Sequence, residues 1–252
     1  MIKVIMHGCN GAMGQVIAGL VEQDEEITIA AGVDIHTERK NGFPVYASLA
    51  EVEEEADVII DFASAKAVDG LIAFCRERKI PVVLCTTGLS DKQLADVEEA
   101  AKETAVLRSA NMSLGINLLF ALVAEAAKTL SGAGFDMEIV EKHHNQKMDA
   151  PSGTALALAD AMNAALDNAF HYTYDRSRRR EKRDGREIGI SAVRGGSIVG
   201  EHDVIFAGKD EVVTISHTAY SKAIFAKGAI AAAKFLAGKE AGRYTMKDVV
   251  AL

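Results

Sequence analysis

Ile2-Lys3-Val4-Ile5-Met6-His7-Gly8-Cys9-Asn10-Gly11-Ala12-Met13-Gly14 is the stretch whose reading decides the fold. A short apolar run, Ile2 to His7, passes directly into glycines spaced G-x-x-G-x-x-G, and a helical stretch from Met13 to Gln23 follows. The spacing is a variant of the dinucleotide fingerprint. Its glycines let the chain turn tightly and bring N–H groups against a pyrophosphate at the positive end of a helix. Asp34 falls twenty residues after Gly14, at the end of a second strand, Ile27–Val33. A carboxylate there accepts hydrogen bonds from an adenine ribose diol. Its charge favours a free 2′-hydroxyl and repels a 2′-phosphate, while His36, Arg39 and Lys40 just beyond offset that repulsion. Use of both NADH and NADPH is therefore expected, with NADH at least as good.

The theme repeats outward from this stretch. Val58–Phe62, Pro81–Cys85 and Ala105–Leu107 read as strands, separated by helical runs at Val68–Arg78 and Asp91–Glu103. Strands alternating with helices of this length imply βαβ units and a mainly parallel sheet. Loops after such strands share the ligand crevice at the carboxyl ends. Cys85-Thr86-Thr87-Gly88 and Ser109-Ala110-Asn111-Met112-Ser113 are so placed, with small polar groups suited to a nicotinamide carboxamide. Asp61-Phe62-Ala63-Ser64 is similarly placed and receives no specific contact.

After Asn111 the pattern changes. A long helix signal covers Gly115–Leu130, and the strand Met137–Glu141 leads into His143 and His144. Glu187–Arg194, Ile198–Ala207 and Glu211–Thr218 read as further strands, and Ser221–Ala237 as a closing helix. In the last strand Val213, Ile215 and His217 alternate with Val212, Thr214 and Ser216, which suits a sheet with two different faces. Two domains on one continuous chain is the natural reading.

Bulk composition excludes several classes. The chain has 252 residues, 49% hydrophobic and 25% charged, as an ordinary globular protein does. The amino terminus shows no signal-peptide layout, and no apolar run long enough for a membrane span is expected. Cys9, Cys75 and Cys85 are too few and wrongly spaced for a disulfide framework or zinc knuckle, which points to the cytosol. A net charge of −8 argues against nucleic acid or an anionic membrane as partner. Between Arg176 and Arg186, seven basic residues against Glu181 and Asp184 make a local +5, so the remainder carries −13. A solvated loop or a charged subunit contact is the reading preferred there, since no aromatic platform accompanies the charge.

The segment that carries chemistry runs from Glu138 to Ala155 and contains His143, His144, Lys147, Pro151, Ser152, Gly153 and Thr154. Histidines at a strand end point to opposite sides, so one faces the crevice while the other packs or binds elsewhere. Histidine gives and takes protons near neutral pH. Lys147 supplies a cation for a carboxylate or a proton to donate. Pro151 and Ser152 suit the start of a helix from about Gly153 to Leu166, whose free N–H groups form an anion site. Together these suit a small dicarboxylate receiving a hydride and a proton. A metal half-site with His202 or His217 lacks any supporting HExxH or Cys/His cluster, so no metal is expected. A Ser152 nucleophile lacks the G-x-S-x-G elbow.

These residues resemble the 4-hydroxy-tetrahydrodipicolinate reductase (dihydrodipicolinate reductase) family nearly end to end. The resemblance rests on Gly8–Gly14, Thr86-Thr87-Gly88, Ala110-Asn111-Met112-Ser113, His143 through Ala155, Arg194-Gly195-Gly196-Ser197-Ile198-Val199-Gly200-Glu201-His202, and Met246-Lys247-Asp248-Val249. It implies NAD(P)H-dependent reduction with loss of water in lysine synthesis through diaminopimelate. It implies His143 as proton donor/acceptor and Lys147 as the second proton-donating, charge-stabilising residue. His144, Gly153 and Thr154 would hold substrate carboxylates. Gly8, Cys9, Asn10, Gly11, Ala12, Met13, Asp34, Cys85, Thr86, Thr87, Ser109, Ala110, Asn111 and Met112 would line the cofactor. The implied architecture is a Rossmann-type dinucleotide-binding domain from 1–113 and 223–252. Residues 114–222 would form a smaller α/β substrate and tetramerisation domain with an open mixed sheet, giving a homotetramer. Cys85 departs from the usual glycine, Ile35 and Lys222 from common arginines. Another two-domain amino- or keto-acid dehydrogenase, or a non-catalytic NAD(P)H sensor, is the rival reading.

Overall fold

A computed structural model describes residues 1–109, 111–177 and 179–251. In chain order the elements are β1 (Ile2–His7), α1 (Ala12–Val21), β2 (Ile27–Val33), β3 (Val45–Tyr46), β4 (Val58–Asp61), α2 (Val68–Arg78), β5 (Val82–Leu84), α3 (Asp91–Ala100) and β6 (Ala105–Arg108). They continue with α4 (Leu114–Ser131), β7 (Asp136–His143), α5 (Gly153–Ala164), β8 (His171–Thr173), β9 (Glu187–Arg194), β10 (Gly200–Ala207) and β11 (Val212–Ala219). Last come α6 (Ala223–Leu236), β12 (Gly242–Tyr244) and α7 (Met246–Val249). The chain divides into two compact units, Met1–Leu114 with Ala223–Ala251, and Gly115–Lys222.

In the first unit the strands form one sheet in the order β12-β6-β5-β4-β1-β2-β3, parallel at every pairing. Strands such as Val-Ile-Ile in β4 and Val-Val-Leu in β5 are apolar at successive positions because both sheet faces are covered. Val4, Met6, Val58 and Ile60 meet α1 and α6 on one face. Ile5, Ile59, Val82 and Leu84 meet α2 and α3 on the other. Local signals set the ends: Ser90 and Gln93 form a capping box at the start of α3, and Lys79 closes α2 in the left-handed region ahead of Pro81. The chain leaves β1 towards β2 on one side and returns as β4 on the other, so the switch point lies between the carboxyl ends of β1 and β4.

In the second unit the sheet order is β11-β10-β7-β9-β8, with β7 antiparallel to β10 and parallel to β9. Burial alternates strictly along β7 and β10. Met137, Ile139, Val204 and Phe206 point towards α4 and α5, where Leu119, Val123, Leu158 and Met162 complete a core. The same face carries Glu141 and His143 at the carboxyl-terminal end of β7, with His202 the register partner of Glu141 on β10.

Three expectations change. β7 ends at His143, so His144 belongs to the following loop rather than to the strand. α4 does have the length and composition of a span, 18 residues at a mean hydropathy of 1.4. Its Ile116, Asn117, Leu119, Val123 and Ala127 are buried in the second unit, and Glu125 pairs with Lys128 outside, as in an amphipathic core helix. The basic 176–186 loop is partly structural. Arg183 reaches Glu138 at 2.9 Å and Asp136 at 2.8 Å, and Arg176 pairs with Glu187, so these cations fasten the loop to β7 and β9.

Candidate active site

Two groups of side chains stand out, one in each unit. In the first unit a cavity of about 790 Å³ opens at the carboxyl edge of the sheet, lined by Gly8, Asn10, Gly11, Asp34, His36, Phe62 and Ser64, with His7 beneath. Gly8 turns in the left-handed region at φ +83°, and a Cβ on Gly14 would lie 2.3 Å from its carbonyl oxygen. The loop therefore closes against the helix only because both positions lack side chains. Asp34 holds the loop in place: its Oδ2 accepts from the Asn10 N–H at 2.9 Å and its Oδ1 from the His36 N–H at 3.0 Å. Each oxygen keeps a second lone pair for a ribose hydroxyl.

The remaining expected cofactor residues divide. Ala12 begins α1 and Met13 packs on the core beside it. The Cys9 side chain is buried in that core, where burial and the nearby Asp34 charge push its thiol up to about 11. Cys85, Thr86 and Thr87 follow β5, and Ser109, Asn111 and Met112 follow β6, so both loops share the carboxyl edge without lining the cavity. Burial holds the Cys85 thiol well above its ordinary value. Thr86 Oγ1 is buried and unpartnered among the described residues, an orphan suited to a carboxamide. The Met112 side chain belongs to the apolar core, and Ala110 lies outside the described residues.

In the second unit the inner face of the sheet assembles a charged network. His143 Nδ1 donates to Glu141 Oε2 at 2.7 Å. Arg194, the register partner of His143 on β9, forks onto both Glu141 oxygens at 2.7 Å. The Ser152 N–H donates to Glu141 Oε1 at 2.9 Å. Burial alone would raise the Glu141 carboxyl, but these donors outweigh it and hold the group below the usual glutamate range. Ser152 Oγ caps α5 by accepting from Ala155, and its hydroxyl shares a hydrogen bond of 2.9 Å with His202 Nε2. His202 stands edge-on to His143 with ring centroids 5.2 Å apart. Burial, followed by the charge of His143, pulls His202 down to about 4, so it is neutral at physiological pH.

Gly153 and Thr154 form the first turn of α5, which holds no acidic residue. Lys147 Nζ meets Asp149 Oδ1 at 2.8 Å, and Arg194 Nη2 also reaches the Asp149 carbonyl. Charged groups of both signs thus run from Lys147 through Asp149 and Arg194 to Glu141, beside His143. His144 is half-buried in the loop, its carbonyl accepting from the Lys147 N–H at 3.2 Å. The structure places His143 at the end of β7, Lys147 in the loop after it and the helix start at Gly153, while Glu141, the Arg194 fork and the Ser152–His202 bond were given no role from the sequence. A charged residue on the apolar face of an alternating strand was the available signal.

Similarity to known proteins covers both units. The family model described as dihydrodipicolinate reductase, N-terminus, matches residues 2–112, and the one described as dihydrodipicolinate reductase, C-terminus, matches 115–250. The chain belongs to the dihydrodipicolinate reductase family. It is 58% identical over 250 residues to a 4-hydroxy-tetrahydrodipicolinate reductase of Caldanaerobacter subterraneus subsp. tengcongensis, spanning 99% of this chain and 98% of the relative. A Clostridium tetani reductase of the same name is 46% identical over 98% and 96% of the two chains. The fold is shared with a dipicolinate-bound dihydrodipicolinate reductase from Paenisporosarcina sp. TG-14, at a TM-score of 0.82 and 24% identity over 97% of each chain. An amine dehydrogenase from Mycobacterium smegmatis shares the fold more loosely, at 0.63 and 14% identity over 97% of this chain and 95% of its own. Oxidoreductase class, a dinucleotide-binding first domain and a Rossmann-type fold with a second mixed α/β sheet follow from family membership.

Proposed function

We propose that the chain reduces 4-hydroxy-tetrahydrodipicolinate to tetrahydrodipicolinate with loss of water, using NADH or NADPH, in lysine synthesis through diaminopimelate. The observation that carries this is 58% identity along nearly the whole chain to a reductase of that name. When bound, the nicotinamide supplies the hydride for C4 of the heterocycle. Residues 1–113 with 223–252 hold the cofactor, and 114–222 hold the substrate.

Within the second unit each group has a task. Glu141 fixes the His143 tautomer with hydrogen on Nδ1, leaving Nε2 to exchange a proton with substrate or water. Lys147 exchanges Asp149 for a substrate carboxylate and is the second proton donor. His144 with the N–H groups of Gly153 and Thr154 holds the other carboxylate at the head of α5. In the first unit Gly8, Cys9, Asn10, Gly11, Ala12 and Met13 cradle the diphosphate through backbone and glycine contacts, and Asp34 binds ribose. Cys85, Thr86, Thr87, Ser109, Asn111 and Met112 border the nicotinamide.

The outer face of the second sheet bears Val140, Val193, Ile205 and Val212 among charged pairs, which supports a homotetramer built on that face. Its chemistry suits a cytoplasmic biosynthetic enzyme with no nucleic-acid or membrane partner. The test is NADH oxidation with the freshly made condensation product of pyruvate and aspartate semialdehyde. Turnover that depends on that substrate supports the reductase. Oxidation only with another amino or keto acid, or binding without turnover, overturns it.

A further inference from the structure

His7 and Asp61 form a buried pair that takes no part in packing the apolar core. They are register partners at the carboxyl ends of β1 and β4, the strands that flank the switch point. His7 Nδ1 donates to Asp61 Oδ1 at 2.8 Å, and the Ala63 N–H donates to the same oxygen at 3.3 Å. Asp61 is wholly buried, and its Oδ2 has no partner among the described residues. A positive charge beside a buried carboxylate so poorly supplied with donors stabilises it. Among the described residues, His7 is the one cation-forming side chain bonded to it.

His7 immediately precedes Gly8 and lines the same cavity as Gly8, Asn10, Gly11 and Asp34. With Nδ1 taken by Asp61, Nε2 is the ring nitrogen left for a ligand. Nucleotide phosphates offer only acceptors, so Nε2 can bond one only when it carries a proton. The ring is then a cation placed between a buried carboxylate and an anionic ligand, and both neighbours favour it.

We propose that His7, held by Asp61, binds the diphosphate of the dinucleotide as an imidazolium, so that cofactor binding takes up a proton. This rests on the assignment of the cavity to NAD(P)H. Linkage sets the sign: a ligand that binds the protonated ring more tightly binds best at low pH and loses affinity as pH rises. Other groups face the pair. Burial, then the charge of Asp61, holds the thiols of Cys75 on α2 and Cys85 after β5 protonated throughout this range. Asp34, His36, Glu77 and Arg78 line the same cavity, and of these His36 is the one further imidazole.

The experiment measures NADH affinity from about pH 6 to about pH 8.5, by fluorescence and by calorimetry in buffers of different ionisation enthalpy. Wild-type protein should take up protons on binding and weaken about tenfold across the range, the scale of one charge-assisted hydrogen bond. His7→Gln should bind more weakly at the acid end and show a flat profile. Asp61→Asn should move the fall in affinity to lower pH, and His36→Gln should keep the wild-type slope. Tight NADH binding by wild type with no proton uptake, or an unchanged slope in folded His7→Gln, overturns the role of His7 alone. A slope abolished by His36→Gln overturns it as well. Failure of wild type to bind either NADH or NADPH at any pH overturns the reductase reading, and this proposal with it.

Discussion

Glu141 Oε2 accepts a hydrogen bond from His143 Nδ1 at 2.7 Å, two residues along the same strand and on the same face. The contact fixes the orientation of the ring that the proposed reaction uses as a base. Glu141→Gln keeps the volume, removes the charge and leaves Arg194 beside a neutral partner. We expect kcat to fall about 10²-fold, as for a misdirected general base, with the KM for NADH unchanged. Steady-state kinetics with both substrates decide this, and a kcat near wild type removes the dyad from the mechanism.

His143→Ala and Lys147→Ala each remove one of the two groups proposed to handle protons. Each should cost roughly 10²–10⁴-fold in turnover. If both variants fold, by circular dichroism, and both keep near-native rates, the assigned roles are wrong.

Gly200 faces His143 across the sheet, and a Cβ there would stand 3.1 Å from Nε2. Glu141 prevents the ring from retreating. Gly200→Ala should therefore lower kcat by roughly tenfold through crowding of the reactive nitrogen, with little change in the urea midpoint. A larger loss of stability than of rate would assign Gly200 to folding instead.

His202 is neutral in the folded protein because its value falls to about 4, from an ordinary value of 6.5. The unfolded chain binds a proton over that window and the folded chain does not. This contribution is present above pH 6.5 and is lost as pH falls towards 4. The linked contribution is on the order of 3 kcal/mol. Glu141 and Glu187, both held below the glutamate range, withdraw their contributions only at still more acid pH. Urea unfolding from about pH 4.5 to about pH 7 should show stability rising with pH. His202→Gln should flatten the rise, and an equally steep dependence in the variant would assign it to other groups.

In the proposed cofactor site Asp34 is expected to disfavour a 2′-phosphate and His36, which also lines the cavity, to offset it. Kinetics with NADH and NADPH should be comparable, with NADH at least as good. A preference for NADPH of roughly a hundredfold or more contradicts this balance of charge.

The first unit was legible because its signals are local. Glycine spacing at Gly8–Gly14, an acid at Asp34 and strand–helix alternation each lie within a short window. Two short strands escaped notice: β3 has two residues and β12 three, too few for any period to show. In the second unit His143, Lys147 and Ser152 fall within a dozen residues and were readable together. Glu141 looked like one more polar residue in an alternating strand, and its partner Arg194 lies 53 positions away.

The sequence by itself determined a nucleotide-binding βαβ half, a helix start beside paired histidines and the family that combines them. Turn geometry, periodicity and capping are properties of neighbouring residues, so they survive in a linear reading. Only the tertiary structure decided that β7 lies between β9 and β10, bringing Arg194 and His202 to His143. It alone set His7 against Asp61 across β1 and β4. Strand register depends on which distant faces are buried together. A charge paired across strands acquires its partner only once that burial exists.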